Sequence, residues 1–168
     1  MTALPETPAT IAVASSGVEH RLVPFGEVSS VGEAAAARNI DLNQLIKTIV
    51  VRESEGRYLL ILVPGDRVID WTKLRKCRGV SRLSLPDADE AFTATGYRRG
   101  TITPFGAAGN WPVVADSSLE SKAEVSVGGG VSGLAIHLRS IDLIEATGAV
   151  VADVTKSAEV VSNPPTSR

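Results

Sequence analysis

One lysine stands inside a run of strand formers, Leu45-Ile46-Lys47-Thr48-Ile49-Val50-Val51. Branched side chains such as Ile, Val and Thr pack well on a pleated backbone. Side chains of a strand alternate between faces, so Leu45, Lys47, Ile49 and Val51 share one. An ammonium group among apolar neighbours loses hydration and needs a partner or a wet cleft. Two readings follow. The stem can lie on the core while the amine snorkels to water at a sheet edge. Alternatively, the amine forms the floor of a pocket for an anion or an ester.

Other residues have chemistry to offer. Lys73, Arg75, Lys76, Arg78 and Arg82 form a cluster that contains no acid, and Arg98 and Arg99 form a second pair. Such cations are either a solvated face or a strip for backbone phosphates. Gly128-Gly129-Gly130-Val131-Ser132-Gly133 fits G-x-G-x-x-G, but that pattern must open a helix to hold a dinucleotide. Here Leu134 to Leu138 alternates like a strand, so a glycine-rich hairpin turn is expected. Its bare backbone can still line a ligand cleft. His137 falls with Ala135 and Arg139 on a face read as polar and exposed, whereas His20 falls on an apolar face and reads as a packed core residue. Cys77 lies in a basic helical segment and reads as structural. Neither a phosphate-binding G-x-x-x-x-G-K-[ST] loop nor a G-x-S-x-G elbow occurs. Two histidines leave little scope for a metal, so no metal and no cofactor is expected.

These groups need elements to hold them. Pro8 to Ser15 is compatible with a short helix, and Val18 to Pro24 with a strand. Ser30 and Glu33 form a capping box that opens a helix through Arg38. Residues 45–52 and 57–64 pair as a hairpin around Glu53 to Gly56. Asp70 and Gly79 bracket a helix over 71–78. A further helix covers 87–95, and residues 96–110 form a long loop. Strands follow at 113–116, 123–127 and 134–138, then a helix from Ser140 to Thr147 and a last strand at 149–154. Without a regular βαβ rhythm, this order predicts an α/β (α+β) domain with a mixed, mostly antiparallel sheet and flanking helices.

The chain has 168 residues, 43 % of them hydrophobic, which suffices for one domain with a sizeable core. The net charge of −2 confines nucleic-acid binding to a local patch. One cysteine permits no internal disulfide and suits a reducing cytoplasm. No apolar run reaches the roughly 20 residues of a membrane helix, and the N-terminus has no secretion-signal pattern. Residues 1–10 are expected to be a flexible N-terminus, 11–154 the domain, and 155–168 a disordered tail.

In order, Ser30-Val31-Gly32, Ile46-Lys47-Thr48-Ile49-Val50, Asp70 to Gly79, Thr95-Gly96-Tyr97, Gly100 to Gly106, Val114-Ala115-Asp116 and Val127-Gly128-Gly129-Gly130 resemble the YbaK/ProX family. These are aminoacyl-tRNA deacylases related to the editing insertion of bacterial prolyl-tRNA synthetases. The resemblance implies a partly barrel-like central sheet and hydrolysis of the ester of a mischarged tRNA. The expected substrate is tRNA-Pro carrying Cys, Ala or Ser, with prolyl-tRNA synthetase as a further partner. A non-catalytic tRNA- or synthetase-binding module of the same fold is the alternative. No membrane is involved, and the protein is expected to be a monomer or weak dimer. The family lysine falls on Lys47. Substrate contacts fall on Phe25, Val31, Gly32, Thr48, Gly96, Tyr97, Gly100, Pro104, Gly106, Asp116, Gly128 and Gly129, with Phe25 and Val31 as pocket wall. Phosphate contacts are expected from Lys73, Arg75, Lys76, Arg78, Arg98 and Arg99. The family often has Ser or Ala at 128 and basic residues after the glycines; here stand Gly128, Val131 and Ser132.

Overall fold

The computed structural model describes residues 3–158. Strand β3 (Arg57–Pro64) is its centre. Leu59 to Val63 are all nearly inaccessible to solvent, which explains why this strand is apolar without alternation. β2 (Ile46–Ser54) pairs antiparallel with β3 from Ile46 opposite Pro64 to Ser54 opposite Arg57. On the other side of β3, β5 (Val113–Asp116) and then β8 (Val150–Ala152) run parallel. A second sheet has the order β1 (His20–Pro24), β7 (Leu134–Arg139), β6 (Glu124–Gly128), all antiparallel. A short ribbon pairs β4 (Arg67–Ile69) with β9 (Thr155–Ser157). Four of the six pairings are thus antiparallel, as expected. The two larger sheets meet at a bridge between Leu45 and Ser126 and do not close into a barrel.

The two faces of β3 carry separate cores. Leu60 and Leu62 pack with Val113, Ala115 and the inner face of the β1–β7–β6 sheet, including Val127 and Ile136. Three helices cover this core: α1 (Pro8–Ser16) through Val13, α4 (Ala88–Thr95) through Ala91, and α5 (Ser140–Thr147) through Leu143. Leu59, Ile61 and Val63 pack on the other side with Leu74 of α3 (Trp71–Arg78). Each fully buried leucine contributes about 1.5–3 kcal/mol. α2 (Val31–Ala37) stands apart and closes a small cluster of Ala34, Ala35 and Leu45.

The caps largely follow the sequence. Ser30 Oγ accepts from Glu33 N, but the Glu33 carboxylate accepts from Ser29 Oγ and leaves the expected capping box half made, and Asp70 Oδ1 accepts from Lys73 N at 3.1 Å. Gly79 ends α3 with φ +68°, a conformation that favours glycine. Three expectations need correction. The N-terminus expected to be flexible over 1–10 is fixed from Thr7, whose hydroxyl caps α1 and donates to the Gly129 carbonyl at 2.7 Å. The expected last strand divides, because buried Val154 leaves β8 and its N–H donates to Asp116 Oδ1 at 3.1 Å. Residues 155–157 of the expected disordered tail then pair with β4, a strand missing from the sequence reading. The remainder of that tail, 159–168, lies outside the described residues.

Candidate active site

A cleft of about 560 Å3 lies between α2, the start of β2, the loop at 99–102 and the β6–β7 hairpin. Of the residues expected at the site, Phe25, Val31, Lys47, Thr48, Gly100, Gly128 and Arg99 line it. They come from segments far apart in the chain. Their meeting depends on the Leu45–Ser126 bridge, which brings the lysine strand to the glycine hairpin. Gly128 allows a further close approach: a Cβ there would stand 3.4 Å from the Ile102 carbonyl oxygen. The mouth is apolar, with Val28, Val31 and Val131 each more than a third exposed.

Lys47 is half-buried, and its Nζ donates to the Arg67 carbonyl oxygen at 2.8 Å. Burial lowers its pKa, and the Asp66 carboxylate partly offsets this. Lys47 lines the cleft, and its amine spends one of its three donors on the Arg67 carbonyl. In the loop, the Thr101 N–H is bonded to the Arg98 carbonyl, whereas those of Gly100 and Ile102 make no hydrogen bond among the described residues. The Gly129 N–H is bonded to the Leu134 carbonyl.

Several expected contact residues stand outside the cleft, in structural positions. Gly96 ends α4 in the left-handed region. Tyr97 is buried and donates through its hydroxyl to the Phe105 carbonyl at 2.6 Å, and burial pushes its pKa up to about 12. Gly106 has φ +69° and passes so close to the Pro8 backbone that a Cβ would collide with it. Pro104 lines a separate hollow of about 210 Å3 beside Trp111. Gly32 lies in the first turn of α2, and Gly129 packs against Leu134.

Asp116 is a brace. Burial pushes its carboxyl pKa up, but hydrogen bonds from Ser118 and from the Val154 N–H outweigh that and leave it lowered. Arg67 Nε lies 3.9 Å from it. The residue whose carbonyl receives Lys47 is held by Thr155, to whose Oγ1 its Nε donates at 2.5 Å, with the carboxylate close by.

The basic residues divide. α3 packs against the face of β3 opposite Leu60 and Leu62, so Lys73, Arg75, Lys76 and Arg78 do not line the cleft. Lys73 is paired with Asp153 at 3.0 Å and Arg78 with Glu53 at 3.1 Å. Arg98 lies over the Phe92 ring at 4.6 Å. Cys77, expected to be structural, is exposed. His20 is half-buried rather than packed in the core, with Nδ1 2.9 Å from the Val18 carbonyl oxygen.

The largest surprise is polar. His137, expected at the surface, is only 3 % exposed. Arg38 at the end of α2 reaches Ser126 on that face of the second sheet, a contact that strand alternation alone does not reveal. Arg21 Nη2 donates to His137 Nδ1 at 3.3 Å, so Nε2 carries the proton, and it has no partner. Arg38, at the end of α2, also lines the cleft. Its guanidinium lies 4.8 Å from the Phe25 ring centroid, and Nη1 donates to Ser126 Oγ at 3.0 Å. In sequence it is an arginine after four alanines, indistinguishable from a solvated helix end.

The description of aminoacyl-tRNA editing domains matches residues 26–146, most of the chain. The chain belongs to that family. A protein of Enterococcus faecalis named as the Cys-tRNA(Pro)/Cys-tRNA(Cys) deacylase EbsC is 23 % identical over 146 residues, covering 82 % of this chain and 89 % of that one. The proline–tRNA ligase of Brachyspira hyodysenteriae is 26 % identical over 117 residues, covering 70 % of this chain but only 20 % of the ligase. Among solved structures, one described as a trans-editing enzyme for prolyl tRNA synthetase superposes with a TM-score of 0.82 at 26 % identity, over 89 % of this chain and 96 % of that one. The resemblance read from the motifs and the mixed α/β fold are therefore upheld. No helix among the described residues is long and apolar enough to cross a membrane.

Proposed function

We propose that this editing domain hydrolyses the ester between a small amino acid and the 3′ end of a mischarged tRNA, acting in trans on tRNA-Pro. The observation that carries the reading is one cleft holding both a half-buried lysine and unbonded loop N–H groups. An aminoacyl ester is already activated, so positioning and oxyanion stabilisation are sufficient for its hydrolysis. Water, or a substrate hydroxyl that places it, adds to the acyl carbonyl. Negative charge grows on the carbonyl oxygen, where unbonded N–H groups of the cleft, those of Gly100 and Ile102 among them, are available donors. The bond to the ribose oxygen then breaks, and that oxygen leaves as a hydroxyl with the proton released by water. Lys47 orients the acyl carbonyl or the terminal phosphate. Phe25 and Val31 limit the acyl side chain. Arg75, Lys76 and Arg99, none of them ion-paired among the described residues, guide the tRNA backbone. The setting is the cytoplasm, and the working form is a monomer or weak dimer.

The second reading is a non-catalytic tRNA- or synthetase-binding module, favoured by uncharged Val131 and Ser132 where the family often has basic residues. A deacylation panel separates the two. Purified protein is given tRNA-Pro charged with Cys, Ala, Ser or Pro, alongside other mischarged tRNAs. Cleavage of the small esters with prolyl-tRNA spared is expected. Tight tRNA binding with no turnover on any substrate would establish the binding module instead.

A further inference from the structure

We propose that Arg38 is a specificity-determining residue of the cleft, reading an oxygen acceptor on the acyl side chain, a carboxylate best and a hydroxyl next. This rests on the hydrolase reading and names the side-chain chemistry of its substrate. A guanidinium has five N–H donors. Among the described residues Arg38 uses one, from Nη1 to the fully buried Ser126 Oγ. Its Nε is buried and has no partner. None of the ion pairs among the described residues includes Arg38. Burial lowers its pKa to about 10, so the group remains charged at neutral pH.

The surroundings do not cancel this charge. Ser126 stands opposite His137, itself held neutral by burial and by Arg21. The Phe25 ring covers one face of the guanidinium and leaves its edge as the polar side. Thr48 Oγ1, on the same cleft, is a second buried polar atom without a partner. Arg38 Nε is shut off from the cleft, so a substrate acceptor would meet the remaining Nη1 and Nη2 donors of this half-buried, cleft-lining side chain. A pocket of this kind penalises analogues lacking the acceptor far more than an apolar pocket penalises a missing methylene. The planar fork of arginine suits a carboxylate best.

The test uses the full chain and 3′-aminoacyl-adenosine esters of Asp, Ser and Ala, with uncatalysed hydrolysis subtracted. Wild type is expected to show kcat/KM in the order aspartyl, seryl, alanyl. Arg38→Leu should lower the aspartyl-to-alanyl and seryl-to-alanyl ratios by roughly ten- to a hundredfold. Arg38→Lys should restore part of the aspartyl preference, and Arg38→Gln serves if the leucine variant fails to fold. Binding of the matching non-hydrolysable 3′-amides is measured in parallel. Amide binding that depends on Arg38, without turnover of any ester, would sustain this proposal and remove the hydrolase reading. Turnover with ratios unchanged within twofold in the folded variants would overturn the proposal alone. So would a loss equal for all three side chains and seen only on full tRNA, because the guanidinium would then be reading phosphate.

Discussion

Lys47 reaches its acceptor, the Arg67 carbonyl, at 2.8 Å, and Arg67 is itself held 3.9 Å from buried Asp116. The cleft lysine on β2 is thereby tied to the β4–β9 ribbon and the end of β5. Asp116 itself does not line the cleft.

Asp116→Ala should destabilise the fold by about 2–4 kcal/mol, from the lost cap of the short 3-10 helix Ser117–Ser121, where Asp116 accepts from Ser118 N, and from the orphaned Val154 N–H. Denaturant unfolding reads this directly. Activity should fall mainly as the folded fraction falls. An inactive Asp116→Ala of wild-type stability would place the carboxylate in the chemistry.

His137 makes stability depend on pH. Burial first, and then Arg21 and Arg38, lower its pKa below 6.5, with Glu124 opposing. In the window between the folded pKa and 6.5 the unfolded chain binds the extra proton, so stability rises with pH there. Melting temperature should drop as pH falls below about 6.5. His137→Gln should flatten that part of the profile. A wild-type slope surviving in the variant would assign the titration elsewhere.

Much of this was legible in the sequence. The β2–β3 hairpin, the Asp70 and Gly79 caps and the glycine turn all carry local signals. Lys47 stood out because a charge interrupts an apolar face. Arg38 and His137 carry no such signal. Their surroundings come from segments distant in the chain, Arg38 bonding Ser126 across 88 residues and Arg21 bonding His137 across 116, which alternation along one strand cannot register. β4 and β9 escaped for a related reason: three residues are too few to show a period.

Phe25 and Val31 line the cleft, and packed walls discriminate by clash better than by fit. Val31→Phe should narrow the substrate range and Val31→Gly widen it. The readout is the ratio of alanyl to larger aminoacyl esters, and one methylene is worth about 1–3 kcal/mol. A ratio indifferent to both changes would remove residue 31 from the wall.

The cations of α3 should contribute unequally to tRNA binding. Lys73 and Arg78 are paired, whereas Arg75 and Lys76 make no ion pair among the described residues. Arg75→Glu and Lys76→Glu should raise the tRNA Kd more than Lys73→Glu does, and each lost phosphate contact should reduce the salt slope by about one. Filter binding across a salt series decides it. Equal effects at all three positions would mean that the ion pairs open on binding.

Single-turnover deacylation of Ala-tRNA(Pro) by wild type and Lys47→Ala, with melting temperatures measured on the same preparations, tests the central claim most directly. The cleft geometry predicts at least a hundredfold loss of rate, on the order of a lost transition-state contact, with little change in melting temperature. Turnover within a fewfold of wild type in a fully folded Lys47→Ala protein would contradict the account.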